Sequence, residues 1–260
     1  MEKIIIFCTK NSEETVGLQL KELENTYEIL IQTPDVSTYE NFKEKYRYLS
    51  IRDDKEFEND VIQSELKKGA GKKRGWYWQQ YLKLRSIDFE EKRFLILDGD
   101  TFLKKSVIND IFEHNYRLAV KENFDVYNRL IKIVLPKFHL LKHSAVANCS
   151  LVEPKIIRKQ IKNTQEFFLT LISKMGGDYS SDRLDISEYQ IINTIQQNET
   201  KIFNLHLFRR GELLTKKNIG KIRKADKICY HGYAKETSHH RNFVKTVIAN
   251  IIFMLRYKKW

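Results

Sequence analysis

The sequence has few of the residues that cross-link or interrupt a chain: three cysteines, three prolines and ten glycines among 260 residues. Cys8, Cys149 and Cys229 are far apart and odd in number, so they match neither zinc-finger spacing nor a disulfide framework and are predicted to be reduced, buried thiols. The scarcity of proline and glycine leaves little room for a flexible linker, and there is no internal repeat or low-complexity tract. These absences favour one large domain.

The sequence also has no secretory signal that we can identify. Its first residues, "MEKIIIFCTK", become polar too quickly for the apolar core of a signal peptide and instead predict a first β-strand. Together with the reduced cysteines, this predicts a protein of the cytoplasm.

Positive charge is in excess and unevenly spread. Lys and Arg number 46 against 34 Asp and Glu, a net charge of +12. Residues 211–260 hold twelve Lys/Arg and three Asp/Glu, which is +9 of that total. A basic chain fits three kinds of partner: nucleic acid, an anionic membrane, or an anionic small substrate.

The last residues, "RNFVKTVIANIIFMLRYKKW" (241–260), repeat apolar side chains at helical spacing and end in lysines and a tryptophan. Lys245 and Asn250 make the stretch too polar for a comfortable spanning helix. We therefore expect residues 239–260 to form a basic amphipathic helix lying on the inner face of the cytoplasmic membrane, after a catalytic domain of residues 1–238. The alternative is a C-terminal core or dimerisation helix.

Apolar β-branched runs alternate with amphipathic stretches along the chain. This alternation predicts an α/β fold with a largely parallel sheet. The predicted strands cover residues 3–8, 27–34, 47–51, 92–97, 117–122, 144–153, 201–206 and 227–233. The predicted helices cover 12–24, 54–66, 76–87, a short segment from Ser106, 154–174 and 187–198, with a mobile basic loop at 67–75.

Two carboxylates follow the predicted strand in "RFLILDGDTFLKK" (93–105). Asp98 and Asp100 flank Gly99, and ligands of such sheets bind at the carboxyl ends of the strands. Side by side, the two carboxylates would repel, and a divalent cation such as Mg²⁺ or Mn²⁺ would resolve the repulsion. The alternative is an ordinary β-turn with solvated acids.

Four short motifs follow one another along the chain: "GWYWQQYLKL" (75–84), the Asp-Gly-Asp turn, "ISEYQ" (186–190) and "YHGY" (230–233). In this order they resemble bacterial glycosyltransferases of the GT-A fold, of the capsule and lipopolysaccharide type, and distantly the glycogenin-like group. The resemblance covers roughly residues 75–233. It implies a GT-A, Rossmann-like sheet flanked by helices.

The resemblance also implies roles for single residues. Asp98 would lie near the nucleotide ribose and the metal, Asp100 would bind the metal, and His231 would be the third ligand of a Mn²⁺ or Mg²⁺ ion. Lys83 would stabilise the charge of the diphosphate leaving group. Apart from the resemblance, Gln79 and Gln80 could hydrogen-bond hydroxyls of the donor sugar. A solvated helix lysine and a surface histidine are the alternatives for Lys83 and His231.

Glu188 is the candidate catalytic carboxylate, and Asp185 is the nearest alternative. By the resemblance, Glu188 would face the acceptor hydroxyl, as general base in an inverting enzyme or as a positioning group in a retaining one. The alternative is that Glu188, in the first turn of a helix, merely complements the helix dipole.

The function expected from these features is metal-dependent transfer of a hexose from a nucleotide sugar, UDP-linked as first choice, to a bacterial glycan or glycolipid acceptor. A nucleotidyltransferase is the second choice, although residues 6–14 lack the glycine-rich phosphate loop it needs. Basic charge alone would suit a nucleic-acid-binding protein, but no such module is recognisable and no nucleic acid is expected as partner.

Overall fold

The computed structural model describes residues 1–9, 12–119, 125–175, 184–202, 205–208 and 227–230. The strands within them are β1 (Lys3–Phe7), β2 (Glu28–Thr33), β3 (Leu49–Asp53), β4 (Phe94–Asp98), β5 (Thr101–Leu103), β6 (Arg117–Ala119), β7 (Cys149–Val152), β8 (Thr200–Ile202), β9 (Leu205–Phe208) and β10 (Lys227–Tyr230). The helices are α1 (Glu13–Leu23), α2 (Glu40–Lys43), α3 (Asp60–Gly69), α4 (Arg74–Phe89), α5 (Lys105–His114), α6 (Asp125–Val134), α7 (Pro154–Arg158), α8 (Thr164–Lys174) and α9 (Glu188–Gln196).

The central sheet has five strands in the order β3-β2-β1-β4-β7. The first four are parallel, and β7 is antiparallel to β4. The register sets Phe7 of β1 beside Asp98 of β4, so the parallel strands end together along one side of the sheet, here termed the carboxyl edge. The opposite side, where these strands begin, is the amino edge. Two smaller sheets join β5-β10-β9 and β6-β8.

Helices cover both faces of the sheet, and this explains the unbroken apolar run of β4. Phe94 and Ile96 pack with helices α3, α4 and α6–α9 on one face, while Leu95 and Leu97 pack with α1 and α5 on the other. All four side chains are fully buried, and each contributes about 1.5–3 kcal/mol by leaving water. Because parallel strands buried on both faces cannot alternate polar with apolar residues, the run is continuous up to the carboxyl edge.

The α/β fold with a mostly parallel sheet is therefore confirmed, with differences in detail. Residues 67–75 are largely helical and not a loop, since α3 ends at Gly69, a 3-10 turn spans Gly71–Lys73 and α4 begins at Arg74. The predicted helix 154–174 is two helices. Asn163 caps the second by accepting hydrogen bonds from the backbone N–H groups of Gln165 and Glu166.

The predicted strand 144–153 is shorter and begins at Cys149. Helix α6 and strand β5 were not predicted. The proposed C-terminal helix, residues 239–260, lies outside the described residues. In the part of the chain that the structure describes, no helix is both long and apolar enough to cross a bilayer.

Candidate active site

Asp98 ends the central strand β4 at a tightly packed turn. Its backbone N–H donates to the carbonyl of Asn148, and the N–H of Gly99 donates to the carbonyl of Phe7 at 2.8 Å. A Cβ at Gly99 would lie 3.0 Å from the Phe7 carbonyl oxygen and 3.0 Å from the Ser12 side chain. Glycine is therefore required here because the backbone of β1 and residue Ser12 approach so closely.

Lys83 lies directly beneath this turn. Its side chain extends from α4, is 1% exposed, and places Nζ 2.5 Å from Asp98 Oδ1 and 2.7 Å from Glu188 Oε1. Asp98 retains 17% exposure and Glu188 only 1%. A buried lysine between two carboxylates leaves the trio with one net negative charge, which suits an approaching cation.

Opposing effects set the protonation of this trio. Burial alone lowers the pKa of Lys83, but Asp98 and Glu188 outweigh it, so the pKa is raised and the ammonium stays charged. Burial raises the pKa of Asp98, which Lys83 lowers in part and Asp100 raises further. The pKa of Glu188 is also raised by burial, against the attraction of Lys83. Both carboxylates are thus easier to protonate than ordinary acids.

Tyr189 completes the cluster, and sequence reasoning missed its part. Its hydroxyl donates to Asp98 Oδ1 at 2.8 Å, and Lys83 Nζ lies 4.5 Å from the centre of its ring. Burial and the neighbouring carboxylates raise the pKa of Tyr189 well above its usual value, so the phenol keeps its proton and remains a donor. The signal that could have found it is the position of Tyr189 beside Glu188 in "ISEYQ".

Ser187 fixes where these side chains start on α9. Its hydroxyl oxygen accepts from the N–H of Gln190, which caps the helix and sets Glu188 in the first turn. The N–H of Glu188 donates to Gln80 Oε1 at 3.3 Å, so Gln80 binds the start of α9 in this structure. Glu188 Oε2 is buried and has no hydrogen-bond partner among the described residues. Such an oxygen can accept a hydrogen bond from a ligand or from water.

Asp185 forms a second cluster just before α9. Its Oδ1 accepts from the hydroxyl of Tyr77 at 2.7 Å and from the N–H of Ile186, and its Oδ2 lies 3.2 Å from Lys73 Nζ. Tyr77 is the fully buried member of the aromatic run 76–78. Asp185 and Glu188 therefore have separate cationic partners, Lys73 and Lys83.

The predicted metal ligands are only partly described. Asp100 follows Gly99 on the turn, is partly exposed, and its Oδ1 accepts from the hydroxyl of Thr101 at 3.4 Å. His231 lies outside the described residues. In the ranges that the structure describes, no three His, Cys, Asp or Glu side chains form a group able to hold a metal ion. Two carboxylates on one turn nevertheless fit Mg²⁺ or Mn²⁺, which commonly take one or two protein carboxylates and fill other positions with water and phosphate oxygens.

Gln79 is the remaining predicted site residue. Its amide Nε2 donates to the carbonyl of Phe7 at 3.5 Å, and the side chain is half-buried. The same carbonyl accepts from the N–H of Gly99. Gln79 therefore lies against the carboxyl end of β1, on the same edge as the turn.

A further acid lies at this edge where β2 and β3 end, and the sequence did not single it out. Asp54 Oδ1 accepts from the side-chain amide of Gln32 at 2.9 Å. Burial raises the pKa of Asp54 to about 6, although the hydrogen bond from Gln32 lowers it in part. The carboxyl edge thus holds several acids that are costly to keep charged.

Similarity of structure identifies the fold. No protein-family model and no curated protein matches the sequence. The apo form of mouse xyloside xylosyltransferase 1 is similar in structure, with a TM-score of 0.50, 10% identity, and coverage of 90% of this chain and 98% of that one. The apo form of the glycosyltransferase GlyE of Streptococcus pneumoniae TIGR4 has a TM-score of 0.53 and 12% identity. That match covers 98% of this chain and 64% of GlyE. The chain has the GT-A fold of these proteins, as the resemblance implied.

Proposed function

We propose that this protein is a metal-dependent glycosyltransferase that moves a hexose from a nucleotide donor, UDP-linked, to an acceptor hydroxyl. The observation that carries the proposal is the buried Lys83–Asp98–Glu188 cluster at the carboxyl edge of the central strand. Charged clusters of this kind are costly to bury, and in α/β sheets the ligand binds at that edge.

Breaking the bond between sugar and diphosphate builds negative charge on the leaving nucleotide. Asp98 and Asp100 are the residues that would hold Mg²⁺ or Mn²⁺, with His231 as the further ligand implied by the resemblance. When bound, the ion would stabilise that negative charge. Lys83 would contribute indirectly, through Asp98. Its ammonium is buried against Asp98 Oδ1 and so orients the carboxylate.

Glu188 is the group proposed to meet the acceptor. Its Oε1 is held by Lys83, and its Oε2 is the buried oxygen without a donor. A sugar hydroxyl donating to Oε2 would satisfy this oxygen, so that Glu188 would position the acceptor. Asp185, three residues earlier, is proposed to bind a second hydroxyl of the same substrate. Transfer with retention of configuration is the proposed outcome.

The proposed acceptor is a lipid-linked or lipopolysaccharide- or capsule-type glycan of a bacterial surface. Its support is chemical: residues 211–260 carry +9 of the net charge of +12. This charge suits a peripheral enzyme on the inner face of the cytoplasmic membrane, with residues 1–238 as the catalytic domain and 239–260 as its anchor.

Thermal stability with nucleotides tests the donor site. The protein is heated with UDP, GDP or CMP, each with Mn²⁺ or with EDTA. A nucleotide at about 100 times its dissociation constant adds about 2.7 kcal/mol of stability. Stabilisation by UDP only with metal is expected. No stabilisation by any nucleotide would contradict the proposal.

A transfer assay with UDP-hexoses and a bacterial glycolipid extract tests the reaction. Asp100→Asn is expected to abolish metal-dependent transfer, while Glu91→Gln, an exposed carboxylate at the amino edge, retains it. Release of pyrophosphate from a nucleoside triphosphate and a sugar phosphate would instead identify a nucleotidyltransferase.

A further inference from the structure

One stretch of the chain contains basic residues and no acidic residue. Between Asp125 and Glu153 there are 27 residues without Asp or Glu, although the whole chain has 34 such residues among 260. The stretch contains Arg129, Lys132, Lys137 and Lys142, and two histidines. Its lysines are not among the charged partners of Asp98 and Glu188.

The fold divides this stretch into a buried side and an exposed side. Leu130 and Ile131 of α6, and Leu135 after it, belong to the hydrophobic core. The helix ends at Val134, and a turn follows in which the N–H of Phe138 donates to the carbonyl of Leu135. Besides Arg129 and His139, the exposed side chains are the following six: Lys132, Ile133, Pro136, Lys137, Lys142 and His143. We call these six the basic surface.

Two features of the basic surface distinguish it from an ordinary solvated loop. Lys132, Lys137 and Lys142 form no ion pair with the described acids of the chain. Ile133 is 48% exposed, one of five large apolar side chains exposed in the described ranges. Half-buried Phe138 lies along the same segment. Lysines without ion pairs on the same segment as an exposed isoleucine suit an anionic partner that also has an apolar layer.

The segment is anchored to the helix that carries the candidate site. At its start, Asn128 Oδ1 accepts from the side-chain amide of Gln190 on α9. At its tip, the carbonyl of His139 accepts from Gln197, just beyond the end of α9. Helix α9 has nine residues, so its two ends lie about 14 Å apart. The basic surface is therefore held at a set distance from Glu188.

We propose that the basic surface binds an anionic lipid bilayer, with its lysines against the headgroups and Ile133 between them. A lipid surface takes up cations and exposed aliphatic side chains together, whereas an anionic glycan or nucleic acid gains less from an exposed isoleucine. This inference does not rest on the proposed enzyme activity, since bilayer binding needs neither donor nor acceptor. It also concerns residues distinct from the C-terminal segment 239–260.

Vesicle co-sedimentation of the full chain tests the proposal. The vesicles are phosphatidylcholine alone or phosphatidylcholine with phosphatidylglycerol. A triple variant, Lys132→Gln with Lys137→Gln and Lys142→Gln, is expected to bind the anionic vesicles on the order of 100-fold more weakly than the parent, at roughly fivefold for each lysine. The matched control removes the same charge from Lys155, Lys159 and Lys162, which are exposed around and after α7. The control is expected to bind nearly as well as the parent.

The apolar part is tested separately. Ile133→Asn is expected to weaken binding to anionic vesicles about threefold to tenfold, because a partly exposed isoleucine gains less than one fully buried. Val61→Asn, which changes another exposed aliphatic residue at 54% exposure, serves as its control and should have no effect. Circular dichroism of each variant checks that the fold is kept.

Three outcomes would overturn the proposal. The first is that the parent does not sediment with anionic vesicles. The second is an equal loss in both lysine triples, which would mean that total charge and not this surface determines binding. The third is binding of soluble dextran sulfate through these lysines without vesicle binding, which would assign the surface to an anionic glycan. Since every variant keeps residues 239–260, their contribution is the same in each arm.

Discussion

Two lysines hold corresponding positions at opposite edges of the sheet, each between two carboxylates. At the carboxyl edge, Lys83 lies 2.5 Å from Asp98 and 2.7 Å from Glu188. At the amino edge, Lys3 contacts Glu90 at 2.8 Å and Glu28 at 3.3 Å. The charge pattern is the same, but the surroundings differ. Lys83 is 1% exposed, and Lys3 is 19% exposed with Glu28 half in water.

The difference separates a stabilising cluster from one built for binding. Ion pairs that remain in contact with water contribute up to about 1 kcal/mol and need little compensation. In the trio around Lys83, Lys83 and Glu188 are fully buried and lose their hydration, and hydrophobic residues of the same volume are often at least as stable in such places. We therefore interpret the buried cluster at the carboxyl edge as a binding site, and the cluster around Lys3 as ion pairs that stabilise the start of β1.

The largest expected effect comes from removing each lysine. Lys83→Met leaves two buried carboxylates without a cation and is expected to reduce the free energy of unfolding by about 3–5 kcal/mol. Lys3→Met should lose less, about 1–2 kcal/mol, because Glu28 is half in water and Lys3 itself keeps 19% exposure, although Glu90 is largely buried. Urea denaturation of both variants measures this. Equal losses would remove the distinction between the two edges.

Replacing one glutamate in each cluster by glutamine tests function while keeping the size of the side chain. Glu188→Gln keeps an oxygen that can accept from Lys83, so the fold should persist, while transfer is expected to fall by about 100-fold or more. Glu90→Gln at the amino edge should leave transfer unchanged. Initial rates at saturating donor measure both. A Glu188→Gln enzyme with the parent rate would contradict the role proposed for Glu188.

Adding one methyl group shows how tightly the carboxyl edge is packed. Gly99→Ala places a Cβ 3.0 Å from the Phe7 carbonyl oxygen and the Ser12 side chain, and is expected to cost about 1–3 kcal/mol. Gly75→Ala on α4 meets no atom within 4 Å and should stabilise the helix by up to about 1 kcal/mol. Thermal unfolding of the two variants should therefore shift in opposite directions.

The smallest effect concerns the pH dependence of stability at Asp54. Its pKa is raised from 3.8 to about 6 in the folded protein, so the folded state binds the extra proton and stability falls as pH rises from about 4 to 6. Asp54→Asn removes this term and should be more stable than the parent at pH 7.5 by on the order of 1–2 kcal/mol. At pH 4 the difference should vanish, as denaturant curves at the two pH values would show.

Much of the fold could be predicted because strands buried on both faces of a sheet have continuous apolar runs in the sequence. The apolar run of β1 and that of β4 each end where the sheet ends, which placed Asp98 and Asp100 at the carboxyl edge. Strand direction has no such record, so a mixed, mostly parallel sheet was expected but not that β7 would be its antiparallel strand. The break between α7 and α8 was missed because Ile157 and Ile161 continue a helical spacing, although Asn163 followed by Glu166 has the pattern of a helix start.

The candidate site was predictable in its parts but not in its contacts. The motif order brought Lys83, Asp98 and Glu188 together. The hydrogen bond from Tyr189 to Asp98 joins residues 91 positions apart, and no local pattern encodes it. The same holds for Gln80, whose partner is the backbone of Glu188, 108 positions away. Such contacts depend on how two helices pack, which composition and periodicity leave open.

The hydrogen bonds of Asp98 have a consequence for how tightly a ligand can bind. Lys83 and Tyr189 both contact Oδ1, from two different helices. Two fixed donors on one oxygen hold the carboxylate in a single orientation before any ligand arrives. Ligand binding then does not have to immobilise the Asp98 side chain. Immobilising a mobile side chain costs about 0.5–1.5 kcal/mol of conformational entropy, and that cost is absent here. The protein meets its ligand with a rigid carboxylate whose geometry was set during folding.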